Sequence, residues 1–189
     1  MSWLLTRPRY HPLVSIVRRC LLALALLLSA LVDAADVTRH PLSYDAAAAE
    51  VATVRQYQLE VGDVPRHVLR LYDLRRVFTR RPPVFDGLAA TEMRERGMAD
   101  LIEESGTQSS YVTYLLADGN QVSGRYSGTV RSARWPDGSW HHEIRGRIEL
   151  TGGTGKFQRI RGSVDVRYVL DPGAESSQGE SVGEYWFEP

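Results

Sequence analysis

LTGGTGKFQRIRG, Leu150 to Gly162, sets three glycines within four residues and then the only lysine of the chain. A glycine-rich run ending in Gly-Lys either cradles a phosphate or turns a corner. The first reading implies a nucleotide-binding α/β fold, the second an all-β one. A P-loop needs G-x-x-x-x-G-K-[ST], but its first glycine would fall at Leu150, and Phe157 stands where the magnesium-binding hydroxyl belongs. The dinucleotide pattern G-x-G-x-x-G fails at Gln158. Both motifs also need a helix whose N-terminus receives the anion. Beyond Phe157 the residues alternate instead: Gln158, Ile160, Gly162, Val164, Val166, Tyr168 and Leu170 share one face, and Arg159, Arg161, Ser163, Asp165 and Arg167 the other. A period of two marks a half-buried strand, so the glycines read as a turn between strands, where positive φ costs glycine little.

The chain outward from this turn has 189 residues and a net charge of zero. Arg7, Arg9, Arg18 and Arg19 precede the apolar run Leu21–Val32, which is the right length for a signal h-region and short for a membrane span. Residues 1–34 are therefore expected to be a signal peptide cut after Ala34, with export by the Sec route or, from Arg18-Arg19, by the twin-arginine route. Cleavage removes four Arg and one Asp from 23 basic and 23 acidic residues, leaving 19 and 22, a net charge near minus three. That balance argues against a nucleic-acid binder. The only cysteine, Cys20, lies inside the leader, so the mature chain has neither disulfide nor thiol chemistry. The arginine bias fits a GC-rich bacterial source, with a periplasmic or secreted location and no stable membrane span after cleavage.

Residues 35–64 read as a lead-in, in which YDAAAAEVATVRQ suits a short helix, a tether or disorder. Residues 65–189 read as one β domain. HVLRLYDLRRVF fits both helical and strand periods. Beyond it, turn signals recur at short intervals: Asp86-Gly87, Ser105-Gly106, Asp118-Gly119-Asn120, Trp135-Pro136-Asp137-Gly138, the opening motif, and Asp171-Pro172-Gly173. The expected fold is a single antiparallel up-and-down β-barrel of about eight strands, closure being the usual way to remove exposed edges.

LTGGTGKFQRIRGSVDVRYVL, together with the terminal GEYWFEP, resembles the allene oxide cyclase and dirigent barrel superfamily, in which a TGG-[ST]-G-x-F turn leads into a strand. YDLRRVFTRRPPVFDG is similar to its bacterial secreted members. The resemblance implies an eight-stranded barrel around an apolar cavity, oligomeric in many members. Plant members guide stereochemistry in that cavity. Their catalytic carboxylates have no residue-by-residue match here, so the resemblance carries fold and no activity, and no catalytic residue is assigned.

The inward faces suggest the site. Val122, Gly124, Tyr126, Gly128 and Val130 share one face, as do Trp140, His142, Ile144, Gly146, Ile148 and Leu150. Tyr126, His142 and Tyr168 are thus expected to point into one interior, with the glycines leaving space for a small, mostly apolar ligand. A barrel filled by its own side chains, with a structural or partner-binding role, is the competing reading. Glu92 shares a face with Leu88 and Ala90 and is the candidate inward carboxylate for a cyclase- or isomerase-like reaction; an exposed Glu92 beside Arg94 and Arg96 is the alternative. His141 and His142 point to opposite faces of a strand and cannot share a metal ion. No cofactor is expected.

Overall fold

The computed structural model describes residues 37–45, 50–171 and 176–189. The expected signal peptide lies outside them. Ten strands, and no α-helix, occur among the described residues: β1 (His40–Tyr44), β2 (Glu50–Glu60), β3 (His67–Val77), β4 (Val84–Phe85), β5 (Leu88–Ile102), β6 (Ser105–Leu116), β7 (Gln121–Arg134), β8 (Trp140–Gly153), β9 (Ile160–Asp171) and β10 (Ser176–Phe187). All pair antiparallel in the order β1-β10-β9-β8-β7-β6-β5-β3-β2, with β4 folded back on β5.

The opening motif turns the chain. β8 ends at Gly153, a single 3-10 turn spans Gly155–Phe157, and β9 begins at Ile160. Gly155 has φ 54°, and a Cβ there would stand 2.5 Å from Asn120 Oδ1, so only glycine fits against the neighbouring hairpin. Thr154 ties the two turns together by accepting from the Gln121 amide at 2.9 Å. Lys156 donates to Asp86 Oδ2 at 2.6 Å. The lysine is a strut between two loops.

The lead-in is corrected. β1 pairs with β10, and β2 pairs with β3 along its whole length, so both belong to the sheet. β2 is exposed on both faces, its alternating Tyr57 and Leu59 included. The turn assigned to Ser105-Gly106 instead occupies Glu103-Glu104, both left-handed at φ 52° and 63°. Two non-glycine residues in that region cost roughly 1–2 kcal/mol each. Their carboxylates are held by Arg66 and Arg70.

The ladder does not close by hydrogen bonds: β1 and β2 are its two ends. The sheet curls until side chains meet. Tyr44 of β1 sets its ring edge against Phe78 at 6.0 Å and shares a 2.7 Å hydrogen bond with Tyr114 of β6. Phe85, at the tip of the β4–β5 hairpin, is fully buried against Tyr114 and Tyr185. Asp86 and Gly87 form that two-residue hairpin with both φ positive (47° and 79°), and the Asp86 amide donates to Tyr185 Oη at 2.7 Å. The inner faces of β5 to β10 supply most of the core: Met93, Val112, Tyr114, Val122, Ile148, Leu150, Ile160, Val164 and Val166, closed at one end by Phe157. No helix among the described residues is long and apolar enough to cross a membrane.

Candidate functional site

One irregularity decides which carboxylate faces inward. Ala90 pairs with Leu116 and Glu92 with Leu115, so Thr91 is an extra residue, a β-bulge. The bulge shifts the alternation by one: Leu88 and Ala90 face in before it, and Met93, Glu95, Ala99 and Leu101 after it. The expectation that Glu92 points inward is therefore corrected. Glu92 lies on the outer face between Arg75 Nε at 2.7 Å and Arg94 Nε at 3.1 Å. Partial burial works against its charge, but the two arginines outweigh it and hold the carboxyl below its usual range.

Glu95 is the buried carboxylate. Its Oε1 accepts from Tyr72 Oη at 3.1 Å and from Ser110 Oγ at 3.0 Å. Its Oε2 faces Arg76 Nη2 at 3.9 Å, a loose pairing for side chains that are 12% and 11% exposed. Arg76 also lies over the Tyr168 ring, 5.6 Å from its centroid. Two groups beside this pair have no partner: Arg76 Nε and the Tyr126 hydroxyl, both buried. Burial pushes the Tyr126 and Tyr72 phenols far above their ordinary range, with the Glu95 charge adding to it, so both remain neutral donors.

Arg76, Glu95, Tyr126 and Tyr168 line a cavity of about 120 Å³ whose other walls are Leu74, Met93, Val112, Ile144, Ile148, Val166 and Leu170, with Gln108. A second cavity of about 230 Å³ shares Leu74, Gln108, Ile144 and Leu170 with the first and adds Tyr72, Glu104, Arg70, Gln56 and His142. The two are adjoining chambers of one interior. Arg70 grips Glu104 through two hydrogen bonds of 2.9 and 2.8 Å at the edge of the second chamber. A larger groove of about 900 Å³ lies chiefly against the outer face, along Leu71, Met98, Tyr111 and Arg125.

The structure brings Tyr126 and Tyr168 into the first chamber and His142 into the second. Tyr168 reaches only a long 3.4 Å contact with Ser181, and His142 bonds to Ser132. The expectation that inward glycines leave space is corrected. Cβ atoms on Gly128 and Gly146 would stand 2.6 and 2.7 Å from Tyr126 Cζ. The glycines are seats for the tyrosine ring, and the free space lies beyond it. Glu95 and Ser110 escaped the sequence reading. Counting the alternation backward from Leu101 finds Glu95; counting forward from Leu88 crosses the bulge and finds Glu92.

No family model matches the chain, and neither does any curated protein. Among solved structures it is similar to a pterocarpan synthase dirigent protein, over 80% of this chain and 88% of that one, with a TM-score of 0.42 and 11% sequence identity. At those values the likeness says nothing of ligand or chemistry.

Proposed function

We propose that the protein is an exported β-barrel of the dirigent and allene oxide cyclase type that binds a small, mostly apolar molecule in its interior. The observation that carries this reading is an interior whose walls are mostly apolar and into which Arg76, Glu95, Tyr126 and Tyr168 bring polar groups. Export to the periplasm or medium rests on the N-terminal pattern of Leu21–Val32 with its arginines. Native mass spectrometry of protein purified from its own host tests both halves. The expected result is a chain beginning after Ala34 with a co-purifying small molecule. A chain beginning at Met1 and held in the membrane overturns cleavage after Ala34, and an interior without ligand in every preparation argues for the filled barrel.

A second reading has its own support. Glu95 lines the same chamber as Arg76 and Tyr126, and a buried carboxylate in the wall of a mostly apolar cavity is an arrangement suited to isomerisation or cyclisation of a carbonyl compound. On this reading Glu95 moves the proton. Turnover of a bound carbonyl compound that stops in Glu95→Gln, with binding retained, separates enzyme from binder.

A further inference from the structure

Glu95 has one oxygen to spare. Its Oε1 accepts from Tyr72 at 3.1 Å and from Ser110 at 3.0 Å, which pins the carboxylate, and its Oε2 faces Arg76. Arg76 Nη2 comes no nearer to Oε2 than 3.9 Å, beyond the reach of a hydrogen bond. Neither atom has a hydrogen-bond partner among the described residues. Both nonetheless have open surface: the enclosed side-chain atoms without a partner are Asp73 Oδ1, Arg76 Nε and the Tyr126 hydroxyl, and these two are not among them. Arg76 and Glu95 line the first chamber and neither the second nor the outer groove, so the two atoms open onto the first chamber.

An acceptor and a donor thus face each other across a gap one atom wide. An oxygen about 2.8 Å from each closes a triangle with an angle of roughly 90° at that oxygen. To meet both it must accept from Arg76 and donate to Glu95, and a neutral hydroxyl does both. A ketone accepts from Arg76 but turns only lone pairs on Oε2. A carboxylate sets a second negative charge beside Glu95, and an ammonium a second positive charge beside Arg76. The other polar groups leave this balance as it is. The Tyr126 hydroxyl is enclosed, Tyr168 turns to Ser181 at 3.4 Å, and Gln108 carries a donor and an acceptor and suits either. In the adjoining chamber Arg70 and Glu104 satisfy each other, and Tyr72 and His142 are bonded to Glu95 and Ser132. Met93, Val112, Ile148 and Val166 surround the gap with hydrocarbon.

We propose that the interior ligand is an apolar molecule carrying a neutral hydroxyl, whose oxygen accepts from Arg76 Nη2 and whose hydrogen goes to Glu95 Oε2. This deepens the binding reading above and rests on it. Arg76 and Glu95 are on this account the residues that select the ligand's polar group.

Proton NMR titration of the purified protein with cyclohexanol, cyclohexanone and cyclohexanecarboxylate tests the assignment, the ring signals of Tyr168 reporting occupancy of the first chamber. The wild type should bind the alcohol about tenfold tighter than the ketone, the worth of one hydrogen bond, and tighter than the carboxylate. Glu95→Gln should reverse the first order. Tyr72 and Ser110 donate into the Oε1 position, so the amide oxygen of the variant takes that place and its NH2 group replaces Oε2. Two donors then flank the gap, and the ketone should bind tighter than the alcohol. Near-UV circular dichroism establishes that the variant keeps its packing; the wild-type order decides alone if it does not. Equal affinities of alcohol and ketone in the wild type, or tightest binding by the ketone or the carboxylate, overturn the hydroxyl and leave the interior site standing. An unchanged order in a folded Glu95→Gln also overturns it. No shift at Tyr168 with any of the three overturns the interior reading, and this inference with it.

Discussion

The Tyr126 ring occupies the space that a side chain on Gly146 would fill, with Tyr126 Cζ 2.7 Å from the position of the missing Cβ. Gly146 is on β8 and faces Gly128 of β7, so the ring spans two strands and covers backbone that has no side chains of its own. Gly146→Ala must displace the ring or the backbone. A loss of about 1–3 kcal/mol is expected, the usual cost of overpacking, together with loss of ligand binding, because the hydroxyl moves with the ring. Urea denaturation and calorimetry on the same variant check both. Unchanged stability with unchanged binding would show that the ring is not seated there.

Two tyrosine hydroxyls should respond in opposite directions. Tyr114 shares its hydrogen bond with Tyr44, and both are fully buried, so Tyr114→Phe removes a buried hydrogen bond and should cost about 1–2 kcal/mol. Tyr126 has no partner, so Tyr126→Phe should leave the ligand-free protein as stable as the wild type, or more stable by about 1 kcal/mol. Thermal unfolding of the two variants side by side distinguishes them. Destabilisation by Tyr126→Phe would mean that its hydroxyl is already satisfied.

Glu92 and Glu95 are three positions apart and should differ sharply. Glu95→Leu removes the carboxylate facing Arg76 and leaves a buried, uncompensated cation, a loss of about 3–5 kcal/mol. Glu92→Leu breaks pairs with two arginines that are nearly half exposed, worth about 1 kcal/mol or less. Comparable losses in urea would contradict the bulge at Thr91.

The histidines should titrate on opposite sides of the ordinary value near 6.5. Hydrogen bonds from His67 to Asp100 and to Asp63, at 2.7 and 2.6 Å, raise its pKa. Its contribution to stability is full below about 6.5 and is lost as pH rises through the raised folded value. For His142, burial lowers the pKa; Glu104 and Asp171 oppose this, and His141 and Arg70 reinforce it. The unfolded chain then binds a proton that the folded one refuses, so stability falls as pH drops below about 6.5 toward the lowered value. Proton NMR titration of the ring resonances checks each. A His142 midpoint above 6.5 would contradict the lowering by burial.

The strands that could be read from the sequence are those with one buried face. β7, β8 and β9 alternate without interruption, from Val122 to Val130, from Ile144 to Leu150 and from Ile160 to Tyr168, and their burial keeps to that pattern. β2 alternates from Gln56 to Glu60, with Tyr57 and Leu59 on one face, but that face stays exposed and the alanine run before it suits a helix. The interior of β3 includes Arg70 and Arg76, which hydropathy assigns to solvent; they are admitted because Glu104 and Glu95 meet them. Tyr126, His142 and Tyr168 were legible because each sits within an intact alternation. Glu95 was hidden by one inserted residue, which carries no mark in composition and shows only in the register of the neighbouring strand.

The seam between the sheet's ends has a kinetic meaning. A barrel closed by a continuous ladder must break a row of backbone hydrogen bonds together before it widens. Here the closure is made by Tyr44 against Phe78 and Tyr114, by the Asp86 amide on Tyr185 and by Lys156 on Asp86. Parting a few rings and three polar contacts costs far less than unzipping a strand. Widening of the interior is therefore paced by side-chain motion along this line.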